Sequence, residues 1–229
     1  MTLNRQIIVA ALVLLVTIIF FGLTDVDLYV QDLFYNFTTH KWVLDSHLEP
    51  YRFIFYDGIK KLLIVVAVLF LITLTFFYKK KLVQNYKQGI VIVILSAIFI
   101  PLIVGGLKKE TNMPCPYTEQ HYGGIYPRIA VWQSYSEEFK LQHQKKSKCW
   151  PAGHASGGFA LLSLFFLFKK RKNKIIGLTI GLITGWSMGL YKMLVGDHFF
   201  SHTVITMILA WLIILLIAKF VYWFRPLKL

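Results

Sequence analysis

The chain has 229 residues, 56% of them hydrophobic, with a mean hydropathy of +0.58 and a formal net charge of +14. Soluble domains average about 45–50% apolar, and the excess here is gathered into blocks of membrane-spanning length, which excludes an ordinary water-soluble globule. The positive charge falls in short runs beside those blocks: Lys79, Lys80, Lys81 and Lys87; Lys169, Lys170, Arg171, Lys172 and Lys174; Arg225 and Lys228. That is the pattern of a positive-inside bias and not of a nucleic-acid surface.

Six apolar stretches predict an all-α, six-helix transmembrane bundle in one domain over residues 1–229, with helices at about 7–23, 59–77, 89–107, 154–168, 175–194 and 203–222. The first follows Arg5 as the core of a signal peptide would. No small-residue cleavage pattern comes after it, so it reads as a retained helix. The fourth is short and is expected to extend through interfacial flanks. The fifth carries Gly177, Gly181, Gly185 and Gly189, a ridge that predicts close approach of another helix.

If Arg5, Lys79–Lys81, Lys169–Lys174 and the C-terminus are cytoplasmic, the six helices alternate without conflict. Residues 24–58, 108–153 and 195–202 then lie outside. His40, His47, His121, His143, His154, His198 and His202, all the histidines of the chain, fall in or at the edge of these segments. Acid–base chemistry is therefore expected on one membrane face.

Three segments carry residues suited to chemistry. At the outer end of the third helix, Lys108 leads to Cys115-Pro116; the lysine either anchors the helix at the interface or binds phosphate. Pro151-Ala152-Gly153-His154 opens the fourth helix. Proline suits its first turn, glycine permits close approach, and the free N–H groups with the helix dipole favour an anion beside His154. His198 and His202 stand at helical i, i+4 spacing at the start of the sixth helix, with Lys192 before them and Asp197 beside them. That spacing would suit two metal ligands. However, the glutamate of a zincin motif is missing and two histidines do not complete a zinc site, so a histidine nucleophile fits better.

Together these segments resemble the membrane-bound type 2 phosphatidic acid phosphatases, which share a pocket with the vanadium haloperoxidases. The family carries Lys-x6-Arg-Pro, then Pro-Ser-Gly-His, then Ser-Arg-x5-His-x3-Asp. Here Lys108 and Pro116 keep the first spacing with Cys115 for arginine. Residues 151–154 match the second with Ala152 for serine, and Lys192, His198 and His202 match the third with lysine for arginine and histidine for aspartate.

The resemblance implies a phosphatase with its site at the periplasmic face of a bacterial inner membrane. His198 would be the nucleophile, His154 the acid–base, and Lys108, Lys192 and the backbone at Gly153 would hold phosphate. His202 would stand in the orienting position. No metal or other cofactor is implied, and the partners are a phosphorylated lipid and the bilayer. Lysine lacks the bidentate fork of arginine, so the grip should be looser, and Arg128 of the external loop could replace a missing arginine. An external loop also allows Cys115 and Cys149 to pair in an oxidising compartment.

Lipid A phosphates, undecaprenyl pyrophosphate, phosphatidylglycerophosphate and phosphatidic acid are all candidate substrates. The sequence leaves open a lipid-to-lipid phosphotransferase with the same site, a transporter, and an inactive packing partner.

Overall fold

The computed structural model describes residues 1–45, 49–143 and 146–224; His47, Lys145, Arg225 and Lys228 lie outside them. The chain is mostly helical. Helix α1 (Leu3–Leu23) is followed by a short α2 (Val26–Asp32) and a two-stranded hairpin, β1 (Tyr35–Asn36) with β2 (Lys41–Trp42), in which Tyr35 pairs with Trp42. Next, α3 (Glu49–Arg52) passes through a single π-turn into α4 (Gly58–Phe76). Helix α5 (Lys81–Glu110) is the longest, and a largely irregular segment with a short α6 (Glu137–Gln142) leads to α7 (Gly153–Ala160). A 3-10 turn joins α7 to α8 (Leu164–Leu167), and α9 (Arg171–Leu194) and α10 (Phe200–Phe224) complete the bundle.

All six predicted apolar stretches are helical; the first, third, fifth and sixth run longer than the hydropathy suggested, while the fourth does not extend and is broken by a 3-10 turn within Gly153–Leu167. The third begins at Lys81 instead of about 89, because the backbone hydrogen bonds of a helix continue past the apolar window into polar sequence. Among the described residues, α1, the run Pro50–Phe76, α5 and α10 are long and apolar enough to cross a membrane, while Gly153–Leu167 is shorter. Helix α9 is 24 residues long but is diluted by Lys172, Asn173, Lys174 and its glycines.

Exposure shows what solvent these helices require. On α1, Ile8, Leu12, Leu15 and Val16 are each more than half exposed (59%, 56%, 54% and 62%). At roughly 25 cal/mol per Å2 of apolar surface, such a face is stable against lipid and not against water. The buried side of the bundle centres on α10, which packs against α1, α5 and α7 around Ile92, Ile100, Phe159 and Ile214.

Gly177, Gly181 and Gly185 of the α9 ridge bear on the segment from α7 to α8, and Gly189 bears on α10. A side chain at Gly185 or Gly189 would run into Phe159 or Thr203, and a Cβ at Gly181 would stand 2.5 Å from the backbone nitrogen of Leu162. From the other side, a Cβ on Gly158 would lie 2.7 Å from Cα of Gly185. The two helices therefore meet backbone to backbone.

This packing places the C-terminal ends of α5 and α9 and the N-terminal ends of α7 and α10 together at one end of the bundle. Two clamps hold that end. Cys115 and Cys149 form a disulfide with Cα atoms 5.2 Å apart, and Asp27 of α2 accepts hydrogen bonds from the backbone N–H and hydroxyl of Ser201 in the first turn of α10. Asp27 is 8% exposed, and burial pushes its carboxyl up to about 6 against the pull of those two bonds.

Because Gly181 faces backbone that cannot rotate away, Gly181→Ala should cost about 1–3 kcal/mol of stability. The measurement is thermal unfolding in detergent, where the midpoint should fall; an unchanged midpoint would refute the tight contact of α9 with the turn that follows α7.

Candidate active site

Each sequence-predicted motif reaches the clustered end by a different element. Lys108 sits in the last turn of α5. Its side chain crosses the start of α7, so that a Cβ on Gly153 would lie 3.6 Å from Cδ and 3.7 Å from Nζ of Lys108. Glycine leaves that backbone uncovered beside an ammonium group.

The start of α7 is anchored from two directions. The Ala152 N–H donates to the Thr206 hydroxyl (2.8 Å), which ties it to α10. The hydroxyl of Thr111 donates to the carbonyl of Trp150 (2.5 Å) and the Cys149 N–H donates to the carbonyl of Met113 (3.2 Å), so the segments around the two cysteines run side by side.

Lys192 lies in the last turn of α9 and donates to Oδ2 of Asp197 (2.7 Å). The chain then reverses through Gly196 at φ 78°, against Trp42 of the hairpin, where any side chain would collide with the indole. That left-handed residue lets the N–H groups of Asp197 and His198 both bond the Lys192 carbonyl (2.8 and 3.2 Å). The turn thereby brings His198 back to His154 at the start of α7.

His198 is 1% exposed, and its Nε2 lies 3.5 Å from Nδ1 of His154. Burial, with the neighbouring histidines and Lys108 and Lys192 adding to it, pushes the His198 imidazole well below its usual range. The ring is therefore neutral at physiological pH, a state with a lone pair to offer. With Nε2 as the lone-pair atom, His154 is the donor in the contact between the rings; these tautomers are assigned on that ground.

The structure also separates the candidates. Lys108, His154, His198 and Asp197, with both cysteines, line a cavity of about 490 Å3, to which Tyr117, Lys146 and Lys148 contribute. His202 is buried behind His198, with ring centroids 5.8 Å apart. Nδ1 of His198, the atom a carboxylate at position 202 would hold, has no hydrogen-bond partner among the described residues.

Arg128 is elsewhere. It donates to Asp25 and to the Thr24 carbonyl, both at 2.8 Å, and lines a separate cavity on the far side of His202. The idea that it replaces a missing arginine is corrected on that ground: its guanidinium is committed to the end of α1.

Of the other histidines, His121 pairs with Asp32 (2.9 Å), His40 meets the Tyr35 hydroxyl (3.3 Å) and His143 meets the Phe139 carbonyl (3.2 Å), all away from His198. Sequence reasoning passed over Lys60 of α4, which lines a second cavity together with Gly153 and His154. The signal was present: Lys60 and Lys61 stand at the end of an apolar span opposite to its basic loop, as Lys108 and Lys109 do. Among the described residues, no three histidine, cysteine or acidic side chains converge as a metal site.

No solved structure matches the chain. A lipid A 4'-phosphatase of Francisella tularensis subsp. novicida (strain U112) is 24% identical over 192 residues, covering 82% of this chain and 82% of that protein. The model of the PAP2 superfamily matches residues 89–226, more than half of the chain and the whole of the segment from Lys108 to His202. The chain belongs to the PAP2 superfamily.

Proposed function

We propose that this protein is a membrane lipid phosphatase that hydrolyses a phosphate monoester or pyrophosphate on a lipid headgroup through a phosphohistidine. The observation that carries this reading is the facing of a neutral, buried His198 and His154 at 3.5 Å, beside Lys108 and at the N-terminus of α7. The named relative supports a lipid substrate. We read all six apolar segments as spans of a bacterial inner membrane with the site on the periplasmic face. The basic runs at Lys79–Lys81 and Lys169–Lys174, at the opposite helix ends, support that orientation.

Lys108, Lys192 and the backbone at Gly153 hold the phosphoryl oxygens and offset the charge that develops on them. Nε2 of His198 attacks phosphorus. The anionic substrate offsets the surrounding lysines and lets His154 take up a proton; the new N–P bond then forms as the P–O bond to the lipid breaks, and the His154 imidazolium gives that proton to the departing oxygen, leaving a neutral ring. Water, deprotonated by His154, then attacks phosphorus, breaks the N–P bond and releases phosphate. An incoming phosphorus lies on the in-plane axis of Nε2, so the contact between the two rings has to open to admit substrate.

His202 acts in this scheme as a positioning residue behind the nucleophile, through ring packing. An orienting carboxylate is worth several orders of magnitude in other His-based sites, and among the described residues nothing of that kind reaches Nδ1 of His198.

Three outcomes test the proposal. In a panel of phosphorylated lipids, His198→Ala should lower phosphate release by more than about 1,000-fold while the wild type survives EDTA. Unchanged release by the variant would remove His198 as nucleophile, and loss of release with EDTA would remove the metal-free scheme. His202→Ala should lower kcat by less than about tenfold; a loss as large as that of His198→Ala would assign it a direct role.

The pH profile follows from the direction of the His198 shift. A group whose pKa in the folded protein is depressed stays in its neutral, active form until pH falls below that lowered value. The acid limb of kcat/KM should therefore lie below pH 6.5, the ordinary imidazole value. An acid limb at or above 6.5 would contradict a neutral buried nucleophile.

A further inference from the structure

Lys60 lies outside the segment that matches the family, in the first turn of α4. Its place relative to the site follows from helix register. A Cβ on Gly157 would stand 3.5 Å from Cδ1 of Leu63, so α4 passes α7 at the level of Leu63 and Gly157. One turn towards the clustered end, the facing residues are Lys60 on α4 and Gly153 and His154 on α7. All three line one cavity, and the charge of Lys60 reaches His154.

That cavity differs from the one containing His198. Its volume is about 480 Å3, and away from Lys60 and His154 it is walled by apolar side chains such as Ile64, Ala67, Phe70 and Ile94. None of the described α4 side chains is buried, so α4 stands off the bundle and leaves this groove beside α5 and α7. His154 belongs to both cavities: it meets His198 on one side and the groove on the other. Since His154 protonates the departing oxygen in the scheme above, the groove lies on the leaving-group side of the scissile bond.

A cation at this mouth opposes two nearby lysines and the positive end of α7. Asp197 is the acid among the residues lining the His198 cavity, and it is engaged by Lys192. Lys60 therefore adds charge where charge is already in excess, and an anion on the substrate would offset it.

We infer that Lys60 is a specificity-determining residue that binds a second anionic group on the leaving-group side of the substrate, at the head of a groove that takes the lipid chain. The favoured substrate class is then a lipid pyrophosphate, whose leaving group is itself a phosphorylated lipid. This rests on the assignment of His154 as the leaving-group acid.

The test uses two polyprenyl substrates of equal chain length, a monophosphate and a pyrophosphate, so that groove contacts cancel. Lys60→Met should lower kcat/KM for the pyrophosphate about 10- to 100-fold, the worth of a hydrogen bond to a charged group, and for the monophosphate by less than about threefold. Lys60→Arg should recover most of the loss. Lys61→Met is the control, because Lys61 lies over the Phe53 ring, 5.7 Å from its centroid, and is not among the residues lining the groove; it should leave the ratio between substrates unchanged.

Equal losses on both substrates, or no loss on either, would overturn the inference. A second arm needs no turnover. In full-length His198→Ala protein in detergent, calorimetry should show the polyprenyl pyrophosphate binding about 10- to 100-fold more weakly once Lys60→Met is added, and unaltered binding would overturn the inference. Absence of phosphate release by the wild type would instead count against the phosphatase scheme, leaving this arm to decide the role of Lys60.

Discussion

The site depends on the backbone contact between α7 and α9. Gly158 and Gly185 meet with no side chain between them, and Gly181 receives the turn that follows α7. In lipid, apolar side chains gain little from one another, so close van der Waals contact between small residues holds helices together. A short helix of eight residues thereby keeps a fixed place beside a long one. Its N-terminus, with uncovered N–H groups and the positive end of its dipole, is held at the level where α5 and α9 end and α10 begins. If α7 stood farther from α9, His198 and Asp197, the latter held by Lys192, could not face Lys108 and His154 across one cavity.

Electrostatics around that N-terminus is one-sided. Lys108, Lys146 and Lys148 line the His198 cavity, Lys192 pairs with Asp197 at its rim, and Lys60 stands at the neighbouring groove. Burial first, and then the neighbouring histidines with Lys108 and Lys192, disfavours protonation of His198 and keeps it neutral, while the excess of cations favours any anion that can approach. Lysines distribute this charge as separate points where arginines would have given planar forks, so recognition here relies on number and placement of cations more than on bidentate geometry. Asp27 contributes from outside the cavity by fixing the start of α10, and the disulfide, in the cavity wall, joins the segment that leaves α5 to the one that enters α7.

The family motifs of this chain are altered at Cys115, Ala152, Lys192 and His202, and the structure gives each a local setting; Lys192, in the arginine position, donates to Asp197. Cys115, in the arginine position, is half of a disulfide that binds the first motif to the second. Ala152, in the serine position, is fully buried and donates its N–H to Thr206. His202, in the aspartate position, packs behind His198 without reaching its Nδ1.

Much of this was legible in the sequence. Apolar runs of spanning length require helices, because lipid leaves backbone polar groups no other partners, and the order and spacing of Lys108, His154, Lys192 and His198 already pointed to one phosphate site. Arg128 and Lys60 show the limit. Both are cations near predicted external segments, yet one is turned away by Asp25 and the Thr24 carbonyl while the other is brought beside His154 by the register of α4 on α7. Sequence by itself determined the helices, the face on which their polar ends gather and the residue types available there, since these depend on local hydropathy and spacing. Which cations turn towards the histidines, and that two cavities meet at His154, was decided by tertiary structure alone, because such proximity arises from helix packing between segments remote in the chain.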